Sequence, residues 1–197
     1  VFPVEPDITQ ETRVQEYDPN IQIPAILLNY RTPSMQSREA RVLDLISTYL
    51  STGKSSKLYK KLVDEQKIAL EVQAVSLPLE EYGIYAILAL PLGDTPLDQL
   101  KTEIDEEIVA LKSDLISEKD YQKLQNIYEN NFVNSNASIQ GVATSLSQYY
   151  LFYNDTNLIN SSIEIYKSIT REEIRDVASK YLNDNQRVVM DYLPENK

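Results

Sequence analysis

The chain has 197 residues, no cysteine, no histidine and a formal net charge of −11. A chain of this length forms one domain, or at most two small ones, and needs no disulfide or metal ion to fold. Without imidazole or thiolate ligands, a zinc site of its own is not expected. The negative charge argues against nucleic-acid binding, and no apolar run reaches the roughly 20 residues of a membrane span.

The first residues, VFPVEPDITQE, are acidic and contain two prolines, and they do not have the pattern of a signal peptide. We expect a linker at 1–11, cut from something longer, and a single domain at 12–197. A chain without cysteine fits a bacterial periplasm as well as a cytoplasm, so the compartment stays open between these two.

Strands are predicted at 12–18 and 23–31 from alternation and a short apolar run. A helix follows at 37–50, because its apolar residues recur at steps of three and four. Thr52-Gly53 is expected to end it, and a second helix is predicted at 56–66. The runs LEVQAVSL and GIYAILALPL then predict an antiparallel hairpin.

The second half of the chain is mostly helical in pattern. Thr95 and Pro96 suit the N-cap and first position of a long helix, with Asp98 in a pattern like a capping box. Ser117 suits a second N-cap, and Thr170 with Glu173 forms a capping box. The predicted helices are 96–115, 117–132, 139–153 and 170–181, followed by a strand at 187–193.

This order of elements predicts an α+β fold with an antiparallel or mixed sheet that helices cover on one face.

The letters GKS at 53–55 match the end of a phosphate-binding P-loop. A P-loop also needs a glycine where this chain has Thr48, and it must follow a strand rather than a helix. We therefore interpret Gly53 as a turn between two helices and do not expect a nucleotide site.

The same stretch resembles the M16 peptidases, the family of pitrilysin and mitochondrial processing peptidase. It reads LDLISTYLSTGKSSKLYKKLVDEQKIALEVQAV. Thr52-Gly53 matches the family's glycine pair, Ser55-Ser56-Lys57-Leu58 its SSRL, Leu62-Val63 its LR, and Ile68-Ala69-Leu70 its LAY. The resemblance covers essentially the whole chain and implies the LuxS/MPP-like metallohydrolase fold.

The resemblance also implies a role. M16 peptidases bind zinc on an N-terminal domain with an H-x-x-E-H helix, and this chain without histidine looks like their C-terminal, non-zinc domain. Such a domain closes against the catalytic one around an unfolded peptide. The resemblance therefore implies no cofactor in this chain, zinc in the catalytic domain or a partner subunit, and substrate contacts at Ser55, Ser56 and Lys57.

Some M16 second domains grip the substrate with an Arg and a Tyr from the LR…LAY segment. Here Val63 and Leu70 stand at those positions, and neither side chain can donate a hydrogen bond. We therefore expect no catalytic residue in this chain. The alternative interpretation is that the chain belongs to an inactive M16-like structural protein that holds a larger complex together.

The other acidic and aromatic clusters are interpreted as structural features and not as functional sites. Glu80 and Glu81 suit a solvated turn better than an acid/base pair, and the acidic run 105–107 suits the polar face of a helix. Residues 154–164 carry oxygen ligands without the glycine and spacing of a calcium loop. Tyr149, Tyr150 and Tyr153 suit core packing, with a peptide- or partner-contact surface as the alternative.

Overall fold

The computed structural model describes residues 6–195, so residues 1–5 of the predicted linker lie outside the described part of the chain. Residues 6–11 precede the first strand and have no helix or strand of their own. The five strands are β1 (Thr12–Asp18), β2 (Ala25–Pro33), β3 (Ala69–Leu77), β4 (Tyr82–Pro91) and β5 (Arg187–Pro194).

Six α-helices lie between and beside the strands. They are α1 (Arg38–Ser51), α2 (Leu97–Ser113), α3 (Glu118–Ser135), α4 (Ile139–Tyr153), α5 (Leu158–Lys167) and α6 (Arg171–Tyr181). A π-helix (Tyr59–Glu65) precedes β3, and a 3₁₀ turn (Asp184–Gln186) precedes β5.

The strands form one mixed sheet in the order β1-β5-β2-β4-β3. The last strand inserts between the first two, parallel to β1 and antiparallel to β2. β3 and β4 form the predicted antiparallel hairpin. The α+β class, with a mixed sheet, is confirmed.

Helices cover one face of this sheet. Buried and less buried residues alternate along β2 and β4, as expected when only one face is packed. Helices α1, α2 and α6 contact that face. The core between the layers is built from residues such as Leu28, Ile46, Ile87, Ile104 and Val189.

Most predicted helix boundaries hold because the capping side chains are in place. Ser117 Oγ accepts from the Asp120 amide at 3.0 Å. Thr170 Oγ1 accepts from the Glu173 amide at 3.2 Å, and Glu173 returns the bond to the Thr170 amide at 2.9 Å. These two reciprocal bonds are the predicted capping box.

The predicted start of α2 is wrong by one residue. Pro96 is the N-cap and Leu97 the first helical residue, and no side chain caps this end. Thr95 Oγ1 instead donates to the Leu92 carbonyl at 2.8 Å, within the preceding turn. The carboxylate of Asp98 accepts a hydrogen bond from Arg13 of β1, so it pairs with the edge strand and does not cap the helix.

Two other elements differ from the sequence prediction. Helix α5, with the sequence LINSSIEIYK, was not predicted. It overlaps the segment 154–164 that was considered for calcium, and this segment begins at Asn154, the residue that ends α4. The second predicted helix, 56–66, is a π-helix for most of its length, and the Gln66 amide closes it on the Lys61 carbonyl at 2.9 Å.

Candidate functional site

The turn between α1 and the π-helix opens onto a groove of about 820 Å³. Gly53 makes this turn with φ = 77°, a backbone conformation that favours glycine. The other wall comes from the start of α3, near Ser117. The lining contains two aspartates, Asp64 and Asp120, and five lysines: Lys54, Lys57, Lys60, Lys119 and Lys123.

The groove is therefore basic on an acidic protein. Lys123 Nζ donates to Ser55 Oγ at 2.7 Å and so joins the turn to α3. Lys57 lies 3.8 Å from the carboxylate of Asp120. Within residues 6–195, Lys54 and Lys119 have no carboxylate in ion-pair range. Two cations are thus available to a ligand.

The three residues expected to contact substrate differ in access. Ser55 and Lys57 are exposed and line the groove. Ser56 lines it too but is only 2% exposed, and its hydroxyl has no hydrogen-bond partner among the described residues. The side chains that can meet a ligand directly are therefore those of Ser55 and Lys57.

Val63 and Leu70, the counterparts of the family's Arg and Tyr, lie in irregular backbone. Val63 is half-buried in the π-helix and packs against the core. Lys67 follows with φ = 55°. Leu70, 44% exposed, occupies a bulge where the β3–β4 pairing shifts register. π-helices and bulges commonly accompany functional sites, but here both carry side chains without a donor.

Lys61 ties the π-helix to α2. Its ammonium lies 2.9 Å from Glu103, 2.9 Å from Glu106 and 3.3 Å from Glu107. Burial lowers the pKa of Lys61, and the three carboxylates raise it by more, so the net pKa lies above its usual value. This cation stays charged and fixes the segment that leads to Leu70.

Among residues 6–195, no helix packs on the second face of the sheet, and the centre of this face is apolar. Leu88, Leu27 and Met190 lie side by side in register across β4, β2 and β5. Toward the sheet end, Ile84 is 44% exposed and pairs with Leu77, which is also exposed. Antiparallel sheets that face water usually alternate to polar residues on the wet face. This open sheet face therefore has the composition of a contact surface.

In the acidic run 105–107, Glu106 is exposed as expected, but Asp105 and Glu107 are half-buried. Asp105 accepts from Nη1 and Nη2 of Arg187, a side chain whose residue is 1% exposed. Burial raises the pKa of Asp105, and the hydrogen bond and positive charge of Arg187 lower it by more, so the net pKa falls below 3.8. Glu106 and Glu107 pair with Lys61 instead.

The aromatic residues of α4 separate into two groups. Tyr149 and Tyr153 turn inward and line a cavity of about 230 Å³ that Asp44 also lines. Tyr150 is 65% exposed. The expectation of core packing is therefore wrong for Tyr150, because α4 lies at the edge of the molecule and buries no residue completely.

Within residues 6–195, no group of three or more acidic side chains is arranged to hold a metal ion. In the same part of the chain, no helix is long and apolar enough to cross a membrane. Glu80 and Glu81 are both exposed in the β3–β4 turn, as expected for a solvated turn.

Comparison with known families gives a match over residues 1–128 to the family described as the peptidase M16 inactive domain. The match spans well over half of the chain. The chain belongs to the M16 inactive-domain family. Because the family description is that of an inactive domain, it confirms the expectation that this chain alone is not the catalytic part of an M16 peptidase.

Known proteins resemble this M16 inactive domain over most of its length. The zinc protease PqqE of Helicobacter pylori is 25% identical over 161 residues, which are 82% of this chain and 36% of that protein. The crystal structure of a protease from H. pylori superposes with a TM-score of 0.90 at 21% identity, over 98% of this chain and 46% of that one. This chain thus spans less than half the length of either relative.

A second solved structure matches the domain nearly end to end. It is the inactive peptidase domain of a predicted zinc protease from Bordetella parapertussis, with a TM-score of 0.77 and 21% identity. The match covers 89% of this chain and 92% of that one. A domain of this extent has therefore been crystallised by itself.

Proposed function

We propose that this M16 inactive domain is the non-catalytic half of a zinc peptidase chamber. It closes against a zinc-bearing domain, located upstream on the same polypeptide or on a partner subunit, and the two enclose an unfolded peptide. The observation that carries this proposal is the open sheet face, where apolar side chains such as Ile84 and Leu77 are exposed in the described part of an acidic molecule.

The open sheet face is suited to packing against a second protein layer. Its central row of Leu88, Leu27 and Met190 is half-buried, and Ile84 and Leu77 extend the apolar surface toward β3. Interface centres are depleted in charged residues and enriched in apolar ones. The two H. pylori relatives contain more chain than this domain spans, and such additional chain is a natural occupant of this face.

Zinc is expected in the other half. The sequence contains neither histidine nor cysteine, and catalytic zinc sites draw most of their ligands from these residues. The relative from H. pylori is called a zinc protease. In this arrangement zinc would activate the attacking water on the partner, while this domain would shape the space in which the peptide lies. The compartment stays as predicted, a bacterial periplasm or cytoplasm.

The basic groove is where we place contact with the substrate. Ser55 and Lys57 line it with exposed side chains, and Lys54 and Lys119 add charge that no carboxylate of the described residues neutralises. A groove with an excess of one sign of charge, here five lysines against two aspartates, concentrates ligands of the opposite sign. The peptide that this groove favours is therefore acidic.

The experiment places a charge on the open sheet face of the intact protein. Ile84→Glu should abolish the zinc-dependent cleavage of an unfolded peptide, because a carboxylate would be buried in the closed interface. Val109→Glu is the matched control: Val109 is 58% exposed on α2, on the helical side of the sheet.

Equal activity of the two variants would contradict the proposal. The wild-type intact protein could bind no zinc and cleave no peptide, while Ile84→Glu disrupts its association with a partner protein. This result would favour the alternative, an inactive protein that holds a larger complex together. Circular dichroism of both variants would establish that each is folded.

A further inference from the structure

The cavity that contains Tyr149 and Tyr153 lies apart from the basic groove and the open sheet face. It has a volume of about 230 Å³, is partly open to solvent, and is lined by residues of α1, α3, α4 and α5, with Pro78 of the β3–β4 turn beside them. Four tyrosines line it: Tyr128, Tyr149, Tyr153 and Tyr166. This volume is below the roughly 300–1,000 Å³ of drug-sized sites, so a ligand must be small.

The tyrosine rings are held in position by hydrogen bonds and stacking with other residues of the lining. Tyr149 shares a hydrogen bond with Ser162 at 2.9 Å, and Tyr153 donates to the Met35 carbonyl at 3.1 Å. The rings of Tyr128 and Tyr166 are stacked. Because the hydroxyls of Tyr149 and Tyr153 are engaged in this way, their rings are what the cavity offers to a ligand.

Two opposite charges share the cavity without neutralising each other. Arg41 and Asp44 both come from α1 and both line the space. Opposite charges three residues apart on a helix are close enough to interact. Here no ion pair joins them, and the guanidinium of Arg41 lies instead 5.7 Å from the ring centre of Tyr153. Among the described residues, the one side-chain donor to Asp44 is the Tyr166 hydroxyl, at 3.3 Å.

The unpaired charges of Arg41 and Asp44 lower the stability of the fold unless a bound ligand compensates them. A carboxylate removed from water without full compensation destabilises the fold, and burial raises the pKa of Asp44. Asp44 is half-buried and lines the cavity, so a ligand in the cavity can contact its carboxylate.

We propose that this cavity binds a free amino acid with an aromatic or large apolar side chain. The ammonium group of the ligand contacts Asp44, its carboxylate contacts Arg41, and its side chain lies against the tyrosine rings. A simple cation is disfavoured because Arg41 is already in the space, and a simple anion is disfavoured by Asp44. A zwitterion satisfies both charges at once. The proposal does not depend on the proposed peptidase function.

The test is calorimetric titration of the intact protein with L-phenylalanine and with two analogues that each lack one charge. Phenethylamine lacks the carboxylate, and 3-phenylpropionate lacks the ammonium group. We expect 1:1 binding of phenylalanine and at least about tenfold weaker binding of each analogue, since each loses a charge-assisted contact. This series needs no variant, so it remains decisive even if a substitution impairs folding.

Variants then assign the two contacts. Asp44→Asn and Arg41→Gln should each weaken phenylalanine binding at least about tenfold. The matched controls, Asp176→Asn and Arg175→Gln, alter an exposed ion pair on α6 and should leave binding unchanged.

Three results would overturn the proposal. They are the absence of phenylalanine binding, phenethylamine or 3-phenylpropionate binding as tightly as phenylalanine, and wild-type affinity in both cavity variants.

Discussion

The guanidinium of Arg187 donates from Nη2 to Asp105 at 2.9 Å, which joins the first residue of β5 to the middle of α2. The same group donates to Glu11 and to the hydroxyl of Tyr30, at 2.7 and 2.9 Å. One buried cation therefore holds together the last strand, the central strand, a helix and the segment before β1. The cluster therefore reinforces the backbone pairing that holds β5 between β1 and β2.

Removing one partner of this cluster should be strongly destabilising. Asp105→Ala leaves Arg187 with less compensation in a buried position. Breaking a fully buried pair costs about 3–5 kcal/mol. Because Asp105 is partly exposed and Glu11 remains, we expect a smaller loss of unfolding free energy, about 2–3 kcal/mol, measured by urea denaturation. Glu106→Ala removes an exposed carboxylate one residue away and should cost less than about 1 kcal/mol. Equal losses would contradict this account.

Asp44 should make the protein less stable as pH rises. Burial raises the folded-state pKa of Asp44 above 3.8, while the Tyr166 hydroxyl opposes this only in part. The folded state then binds more protons than the unfolded state between the two pKa values, so this contribution to stability falls as pH rises through that window.

Asp44→Asn should therefore have a higher free energy of unfolding than wild type at neutral pH, and a smaller advantage near pH 4. Urea denaturation at both pH values measures this difference. Asp176→Asn serves as the exposed control. A lower stability of Asp44→Asn at neutral pH would show that Asp44 is compensated in the free protein.

Gly141 is required by a close approach and not by its backbone angle. A Cβ placed there would lie 1.9 Å from the Ser135 carbonyl oxygen, where α3 turns into α4. Gly→Ala in a helix normally stabilises by about 0.5–1 kcal/mol. Here we expect Gly141→Ala to destabilise by about 1–3 kcal/mol in thermal or urea unfolding, as overpacking does. Ala143→Gly, two residues along the same helix, should show the ordinary propensity loss of about 0.5–1 kcal/mol. A stabilised Gly141→Ala variant would mean that the α3–α4 turn adapts freely.

The basic groove should bind acidic peptides through Lys54 and Lys119. The double variant Lys54→Gln/Lys119→Gln should weaken binding of an acidic unfolded peptide several-fold, since each exposed charge contributes about 0.2–1 kcal/mol. Fluorescence anisotropy at low and high salt would show the wild-type affinity falling with salt and the variant less dependent on it. Lys167→Gln, on α5 away from the groove, is the control, and the same loss in this variant would reject the assignment.

The sequence predicted elements whose cause is local. The α1 helix, the β3–β4 hairpin, the Ser117 cap and the Thr170–Glu173 box all follow from periodicity or from residues three apart. The resemblance around Ser55 to Leu58 predicted the family. In contrast, α5 was missed because its residues include Asn and Ser, which suit turns as well as helices.

The candidate sites were less predictable because they join distant segments. Lys57 and Lys119 are far apart in the chain, and only the packing of α3 against the turn brings them into one groove. The pairing of Asp105 with Arg187 was hidden for the same reason, since the run of three acids is indistinguishable in sequence from a solvated face. Val63 and Leu70 could be placed from the motif, but the π-helix and the bulge that hold them could not.

The most direct test of the central claim measures zinc content and peptide cleavage by this domain alone and after addition of its zinc-bearing half. A relative of the same extent crystallises by itself, so the isolated domain is a reasonable reagent once circular dichroism shows that it is folded. The account predicts no bound zinc and no cleavage of an unfolded peptide by the domain alone, and cleavage by the zinc-bearing half that rises when the domain is added. One zinc ion per chain together with cleavage by the domain alone would contradict it.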